Sequence, residues 1–290
     1  MDLITENSLV GYKTINEATT ESDIASFEEI INRLIEDKYK TSLAYQICEV
    51  QPLSNAAGAI FVAKRKTGTY DLEIVKQPVT LVKDDASTGM TKEAFDDINA
   101  MFKGKRATTL IKNILKGASD EKENTRLMTM IAANATASTG VTITNSDNAE
   151  TLVYHIQQKV GELIVKINEN SHKTLSGYAI LPQKAAGAFL GWGWTENLSK
   201  DGSLHIGVKG KVKYFINPDK TATDVYVGII DKNAIGKSSL IFSPYQYILN
   251  KAINSDDGST KVFMINRYAL TKNPLSDVSP MIYKFTPTYA

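Results

Sequence analysis

Few residues of this chain have the types and spacing that catalysis requires. Cys48 is its single cysteine and lies in YQICEVQP, beside an acidic residue. A thiol nucleophile needs a nearby histidine base, yet His155, His172 and His205 stand in no recognisable cysteine-hydrolase motif. A lone cysteine between Ile47 and Val50 is more often a small buried hydrophobic residue. We therefore predict that Cys48 packs in a core and does no chemistry.

A second candidate is AIGKSS at 234–239, which resembles the end of a phosphate-binding loop. That loop requires a glycine five positions before its Gly-Lys pair, and Asp231 occupies this position. The segment also leads into the strand-like SLIFSPYQY, whereas a phosphate-binding loop leads into a helix. We predict a surface turn here and no phosphate site.

The remaining histidine and acidic residues do not indicate a metal site. The histidines show no HxxxH spacing, and a single cysteine cannot form a CxxC pair. The adjacent carboxylates Asp84-Asp85 and Asp256-Asp257 stand beside turn residues, where solvated acids are common. We therefore predict no catalytic residue, no metal and no cofactor, and a protein that is not an enzyme.

The basic and aromatic clusters fit contacts with other molecules better than they fit catalysis. Two basic runs could contact the phosphates of DNA, although neither is interleaved with aromatic residues; they contain Lys64, Arg65, Lys103, Lys105 and Arg106. A solvated or inter-subunit charged face is an equal alternative. GWGWTENL carries Trp192 and Trp194, which fit either an interface anchor or core packing.

The composition is that of an ordinary globular protein. The chain has 290 residues, of which 42% are hydrophobic and 22% charged, with a formal net charge of +1. This length fits one large domain or two modest ones, and the charge excludes a global field that would attract nucleic acid. One cysteine excludes a disulfide framework. The start lacks a signal-peptide pattern, and no apolar run approaches the roughly 18 residues of a membrane helix. We expect a cytoplasmic protein with no membrane partner.

The elements that position these residues are helices early in the chain and strands later. A polar start predicts an arm, followed by an amphipathic helix whose apolar stripe includes Ile24, Phe27 and Ile31. TYDLEIVKQPVTLVKDD (69–85) predicts one long extended segment that Pro78 interrupts and that projects from the body.

Between this segment and the strands, the pattern is helical. It runs from Thr91 to Ala135 with predicted breaks at Gly104 and Gly117. A clearer helix begins with a capping box of Asp147 and Glu150, and its apolar stripe consists of Leu152, Ile156, Val160, Leu163 and Ile167. After Ser176 the chain is strand-rich, so we predict an α+β fold with intertwined subdomains.

Several stretches resemble a known family in the same order along the chain. KTSLAYQICEVQPLSNAAGAIFVAKR (40–65) resembles a segment of the major capsid proteins of T-even-type tailed phages; the matching residues are Cys48, Val50, Gln51, Pro52, Gly58 and Phe61. Three further stretches resemble later parts of the family: NAETLVYHIQQKVGELIVKINENSHKTLSGYAILPQKAAGAF (148–189), VYVGIID with SLIFSPYQYIL, and VFMINRYALTKNPL. These later stretches include Ser243, Pro244, Tyr245, Arg267, Tyr268, Asn273 and Pro274.

This resemblance implies the Hong Kong 97-type phage capsid fold. It assigns residues 1–52 to an N-terminal arm with an amphipathic helix and 53–90 to an extended loop. It assigns 91–175 and 261–290 to a peripheral domain with a spine helix, and 176–260 to an axial domain. The chain leaves no room for the insertion domain of T-even relatives, and we expect an uncleaved N-terminus. The expected inter-subunit contacts are Ile24, Phe27, Ile31, Leu72, Ile74, Lys76, Trp192 and Trp194.

The implied function is that of a major capsid protein that self-assembles into the icosahedral head of a tailed bacteriophage. The implied partners are copies of itself in hexamers and pentamers, a vertex or portal protein, possible decoration proteins and non-specifically packaged double-stranded DNA. The implied location is the virion, after assembly in the bacterial host cytoplasm. Three alternatives stay open: a pentameric vertex capsid protein, an encapsulin-like compartment shell, and a Cys48-dependent hydrolase.

Overall fold

The computed structural model describes residues 42–53, 58–65, 72–93, 97, 100, 106–144, 148–170, 176–191, 204–231, 236–253, 260–277 and 279–290. Within these ranges the α-helices are α1 Leu43–Ile47, α2 Arg106–Asn134, α3 Ala149–Asn170 and α4 Gln183–Gly191, and Pro274–Asp277 forms a 3₁₀ helix. The strands are β1 Glu49–Val50, β2 Ala59–Arg65, β3 Leu72–Pro78, β4 Val82–Met90, β5 Thr136–Ala137, β6 Val141–Ile143, β7 Gly177–Leu181, β8 His205–Lys209, β9 Val212–Ile216, β10 Val225–Ile229, β11 Leu240–Ile253, β12 Thr260–Lys272, β13 Ile282–Phe285 and β14 Pro287–Tyr289. The mixture of helices and strands confirms the α+β class.

The described residues fall into two compact units. One unit takes its described residues from 81–123 and 245–268, and the other from 42–80, 124–244 and 269–290. Each unit therefore combines segments that are far apart in the sequence. The assignment of arm, extended loop, peripheral domain and axial domain stays a prediction.

The larger unit is built on a six-stranded sheet in the order β5-β13-β10-β7-β9-β8. Strand β7 pairs antiparallel with β10 and parallel with β9. Helix α3 contributes its apolar stripe to the same core as β7 and β10. Its five predicted stripe residues are no more than 1% exposed, which confirms the helical pattern read from the sequence.

One position in the pairing of β7 with β10 requires glycine, because a buried tyrosine ring lies over it. The fully buried ring of Tyr178 on β7 occupies the space that a side chain at Gly228 on β10 would need. Burial also raises the pKa of the Tyr178 hydroxyl far above its ordinary value. The tyrosine is thus a neutral, space-filling part of the core.

The smaller unit pairs β4 with β12 along their length. The antiparallel register runs from Val82 opposite Tyr268 to Met90 opposite Thr260. An apolar cluster joins helix α2 to these strands and consists of Leu115, Val262 and Met264 with Ala86 and Tyr247 packed against it. Further along the same face of α2 the contact is polar, because Asn266 donates to Ser119 Oγ at 3.3 Å and to Glu123 Oε2 at 3.4 Å.

Two local predictions were wrong. Helix α2 continues through Gly117, because an isolated glycine costs only about 1 kcal/mol and the rest of the segment consists largely of good helix formers. Helix α4 was missed because QKAAGAFLG lacks a clear polar stripe. The described part of the extended segment 69–85 was predicted correctly: β3 ends at Pro78, the predicted interruption, and β4 then pairs with a different strand. Its projection from the body stays a prediction.

The cap of α3 also differs from the prediction. Asn148 accepts the Glu150 N–H at 2.9 Å through its side-chain oxygen, and its own carbonyl accepts the Leu152 N–H at 3.1 Å. It therefore acts as the N-cap, whereas Asp147 lies outside the described residues.

Candidate assembly site: the base of the β2–β3 hairpin

The β2–β3 hairpin has one buried face and one exposed face. Its antiparallel register places Phe61 opposite Lys76 and Ala63 opposite Ile74. Phe61 is 51% exposed and Ile74 is 65% exposed. Side chains alternate between the faces of a strand, and the intervening Ile60 and Val62 are buried. The hairpin therefore packs against its own subunit with one face and leaves an apolar face uncovered.

The segment before the hairpin is fixed in the core. Ser42 caps helix α1 by accepting the Tyr45 N–H at 3.3 Å, and Ile47 and Cys48 are fully buried. Strand β1 then pairs in parallel with the start of β11. The Gln51 N–H continues this pairing by donating to Phe242 O at 3.0 Å.

The side chain of Gln51 joins this fixed segment to the hairpin. Its Oε1 accepts the Phe61 N–H at 2.8 Å, and its Nε2 donates to Phe61 O at 2.7 Å. The same Nε2 donates to Glu49 Oε1 at 2.7 Å. Because the carbonyl and the carboxylate only accept hydrogen bonds, this side of the amide must be the NH₂ group. The amide thus pairs with β2 as a neighbouring strand would.

Glu49 links the same amide to a distant turn. Its Oε2 accepts the Gly236 N–H at 2.9 Å, while its Oε1 accepts from Gln51. Burial raises the pKa of Glu49 above its ordinary value, and nearby Asp231 adds to this, while the hydrogen bonds from Gln51, Gly236 and Ser238 oppose the rise. A buried carboxylate, 5% exposed and held by three donors, is a specific structural contact rather than a solvated acid.

Asn273 holds the other side of this turn. Its Nδ2 donates to Gly236 O and to Ser238 O, both at 2.7 Å, and its Oδ1 accepts the Leu275 N–H at 3.1 Å. Gly236 has a φ of 75°, which favours glycine. The prediction of a surface turn at 234–239 was wrong, because Gly236, Ser238 and Ser239 are buried by these contacts.

The structure confirms that Cys48 is buried in the core, with 0% of its surface exposed. It contradicts the expectation that Asp84 is solvated. Asp84 is 3% exposed and accepts a 2.7 Å hydrogen bond from the Tyr268 hydroxyl, whereas Asp85 is exposed as expected. The tyrosine lies 184 residues away in the sequence, so no local pattern could indicate it.

The predicted contact residues are only partly described. Ile74 and Lys76 are exposed on β3, Leu72 lies on β3 opposite Arg65, Lys64 lies on β2, and Arg106 begins α2. The hairpin therefore brings five of these residues together, namely Lys64, Arg65, Leu72, Ile74 and Lys76. The residues outside the described ranges are Ile24, Phe27, Ile31, Lys103, Lys105, Trp192 and Trp194.

The described histidines are structural. His155 is half-buried on α3, and its ring contacts Tyr154 edge-on. His205 packs against Phe215 with ring centroids 5.1 Å apart. Burial lowers the pKa of His205, and Lys213 lowers it further. In the described part of the chain, no three His, Cys, Asp or Glu residues gather as a metal site requires, and no helix is long and apolar enough to cross a membrane.

Sequence reasoning missed the site's central residues as a group. Glu49, Gln51, Gly236 and Asn273 come from three separate parts of the chain. The available signal was local: an acid and a glutamine two positions apart, just before Pro52. This spacing is compatible with a shared hydrogen bond, yet it does not indicate the partners Phe61 and Gly236.

Comparison with solved structures identifies the fold. The chain is similar to the virus-like particle from Pyrococcus furiosus, with 12% identity, 90% of this chain and 99% of that chain covered, and a TM-score of 0.53. It is also similar to a chain of Gordonia phage Cozz (10% identity, 86% and 87% covered, TM-score 0.53) and to the head structure of Helicobacter pylori bacteriophage KHP40 (11% identity, 86% and 90% covered, TM-score 0.51). The fold is the Hong Kong 97-type fold of phage capsid proteins.

Sequence comparison then narrows the class. No curated protein matches the chain. A sequence profile of the family described as "Major capsid protein Gp23" matches residues 64–286, which is most of the chain. The chain belongs to this family of phage major capsid proteins, whose function is to form the head, and it is accordingly a virion component.

Proposed function

We propose that this chain self-assembles as hexamers and pentamers into the icosahedral head of a tailed phage of T-even type, around double-stranded DNA. The role is structural and not enzymatic. Assembly takes place in the bacterial host cytoplasm, with a vertex or portal protein and possible decoration proteins as further partners. The family membership and the fold support this proposal.

The observation that carries the proposal is the uncovered apolar face of the hairpin. Ile74 and Phe61 are more than half exposed, although Ile60 and Val62 on the other face are buried in the same subunit. Full burial of such a side chain contributes about 1.5–3 kcal/mol, and burying only the exposed part of Phe61 or Ile74 against a neighbour therefore contributes roughly half to two thirds of this. The hairpin therefore acts as the extended loop of the subunit and reaches onto the next subunit.

The mechanism of assembly follows from this contact. A hairpin that docks on a different surface of the next subunit makes a heterologous contact, and such contacts close into rings. Each contact is weak enough to break and correct a wrong placement, while several linked contacts hold the finished shell through effective concentration. The proposed contact residues of the described hairpin are Leu72, Ile74 and Lys76.

The test changes the exposed face without touching the buried one. Ile74→Asp places a charge at a residue that is 65% exposed, so the subunit should remain folded. The yield of closed particles, measured by sedimentation and electron microscopy, should fall at least tenfold. Ile74→Val keeps an apolar surface and should assemble like the wild type. Normal assembly of Ile74→Asp would contradict the proposal.

The proposal also includes contact between basic side chains and the packaged DNA. Lys64, Arg65, Lys103, Lys105 and Arg106 are the candidates for phosphate contact, and such contact is non-specific and weakens with salt. Replacing them with glutamine should flatten the dependence of DNA retention on salt concentration. Unchanged retention at every salt concentration would assign these residues to another role.

An encapsulin-like compartment shell is the second candidate, because the chain is similar to a virus-like particle. A pentameric vertex protein would share the fold as well. The copy number in purified particles and the presence of packaged DNA separate the three. A hydrolase using Cys48 would need an accessible thiol, but Cys48 is fully buried. Cys48→Ser should accordingly leave assembly intact, whereas it would abolish a Cys48-dependent activity.

A further inference from the structure

Gln51 directly follows β1. In the described hydrogen-bond network, its side chain bonds both the N–H and the carbonyl group of one β2 residue, Phe61. Phe61 donates its N–H to Gln51 Oε1 and accepts from Gln51 Nε2. A strand neighbour makes the same two bonds. These bonds lie at the base of the hairpin, three residues from its described start at Gly58.

The amide has no spare hydrogen-bonding capacity for an alternative orientation. One Nε2 hydrogen goes to Phe61 O and the other to Glu49 Oε1, each at 2.7 Å. Turning the amide over would set its oxygen against a carbonyl and a carboxylate and its NH₂ against the Phe61 N–H. Glu49 therefore fixes the orientation of the amide, and the amide fixes Phe61.

Glu49 is itself held by the body of the subunit. Its Oε2 accepts from Gly236 N–H, and the Gly236 carbonyl accepts from Asn273. The hydrogen bonds thus run without interruption from Asn273 through Gly236 and Glu49 to Gln51 and Phe61. The exposed side chain of Phe61 lies on the apolar face of the hairpin, so this chain of bonds ends at the proposed docking surface.

We infer that Gln51 is a positioning residue for assembly: its amide latches the base of the β2–β3 hairpin to the Glu49–Gly236 contact and so sets the direction in which the hairpin's apolar face is presented to the next subunit. The inference rests on the proposed function of this hairpin as an inter-subunit contact. Gln51 acts through Phe61 and does not itself need to touch a neighbour.

The test uses the full chain and measures the latch and assembly separately. Hydrogen exchange of the Phe61 amide in the dissociated subunit reports the latch, because Gln51 Oε1 is its acceptor. The yield of closed particles reports assembly. Gln51→Ala should speed Phe61 exchange at least tenfold and lower particle yield at least tenfold. The matched control is Gln77→Ala, a half-buried glutamine on β3 opposite Ile60, which should change neither by more than twofold.

Two further variants distinguish positioning from a general loss of packing. Gln51→Glu keeps the acceptor for Phe61 N–H but sets a carboxylate oxygen against both Glu49 and Phe61 O, so assembly should fail at pH 7. Protonation of one carboxyl restores a donor between the two, and particle yield relative to wild type should recover at least threefold at pH 5. The double variant Glu49→Gln with Gln51→Glu restores a donor between the two side chains but still sets a carboxylate oxygen against Phe61 O, so its particle yield at pH 7 should lie between those of Gln51→Glu and the wild type. A yield no higher than that of Gln51→Glu would contradict the inference, and this comparison also holds if Gln51→Ala fails to fold.

The results that would overturn the inference differ from those that would overturn the proposed function. Unchanged Phe61 exchange in Gln51→Ala would show that the latch is absent and would overturn the inference. Faster exchange with wild-type particle yield would overturn it too, since the latch would then not govern assembly. If the wild type and Gln77→Ala form no closed particles, the proposed function is refuted, and so is the effect of Gln51 on assembly. The exchange rate of the Phe61 amide would still show whether Gln51 holds the base of the hairpin.

Discussion

Replacing Asn273 should destabilise the subunit far more than its size suggests. Its side chain satisfies two buried carbonyl groups, Gly236 O and Ser238 O, and one buried N–H, that of Leu275. Asn273→Ala removes all three hydrogen bonds from a residue that is 0% exposed. Each bond contributes about 1 kcal/mol, and leaving its partner buried and unsatisfied raises the loss toward about 1–3 kcal/mol. We expect a total loss of about 3–5 kcal/mol in the free energy of unfolding.

The assay is equilibrium denaturation of the dissociated subunit, in which a lower midpoint at constant slope reports lost stability. Asn134→Ala is the matched control, because Asn134 makes one local bond, from its Nδ2 to Met130 O, at the end of a helix. Alanine is the best helix former, so this control should lose less than about 1 kcal/mol.

Asn273→Asp sharpens the same test. It keeps the shape of the side chain and the acceptor for the Leu275 N–H, but it turns both donor bonds into contacts between a carboxylate and carbonyl oxygens. It should therefore destabilise at least as much as Asn273→Ala. If Asn273→Asp is mild, or if Asn273→Ala loses no more than Asn134→Ala, the turn is held by packing and the hydrogen-bond reasoning is refuted.

Two other predictions concern buried positions. Gly228→Ala should lower the free energy of unfolding by about 1–3 kcal/mol or more, because its Cβ would overlap the Tyr178 ring. The control Gly187→Ala lies on α4 with open space around it and should raise the free energy of unfolding by about 0.5–1 kcal/mol. Equal effects of the two variants in thermal unfolding would contradict the overlap at Gly228. Glu49 has a folded-state pKa above its ordinary value of 4.5, so its contribution to stability is full below that pH and is lost as the pH rises through the folded pKa. Glu49→Gln should remove this decline, and a stability difference from wild type that stays constant between pH 4 and pH 8 would show that the carboxyl does not titrate differently on folding.

The sequence predicted the elements whose signals are local. The stripe on α3 recurs at helical spacing over five residues, and every one of them is buried. Cys48, which lies between Ile47 and Val50 with Glu49 beside it, was also predicted from this local composition and is buried. The strand AIFVAKR was also found as β2. In each case the residues that decide the outcome are close together in the chain.

The sequence could not predict what depends on distant partners. Ser238 and Ser239 look like surface-turn residues, but Glu49 and Asn273 approach this turn from elsewhere in the chain and bury it. Asp84 looks solvated until Tyr268 is placed beside it. Gly117 reads as a helix break, yet an isolated glycine costs only about 1 kcal/mol, which a helix of 29 residues tolerates.

The bond between Glu49 and Gly236 also constrains when the subunit becomes functional. It joins residues 187 positions apart, and closing a flexible loop of that length costs roughly 4–5 kcal/mol in chain entropy beyond a constant. While the ribosome is still making the protein, the hairpin and Glu49 are already synthesised, but Glu49 has no Gly236 N–H from which to accept. If Gln51 positions the hairpin as inferred above, the hairpin reaches its final orientation only after residue 236 has emerged. Nascent chains, and chains truncated before this residue, should then be excluded from the growing shell.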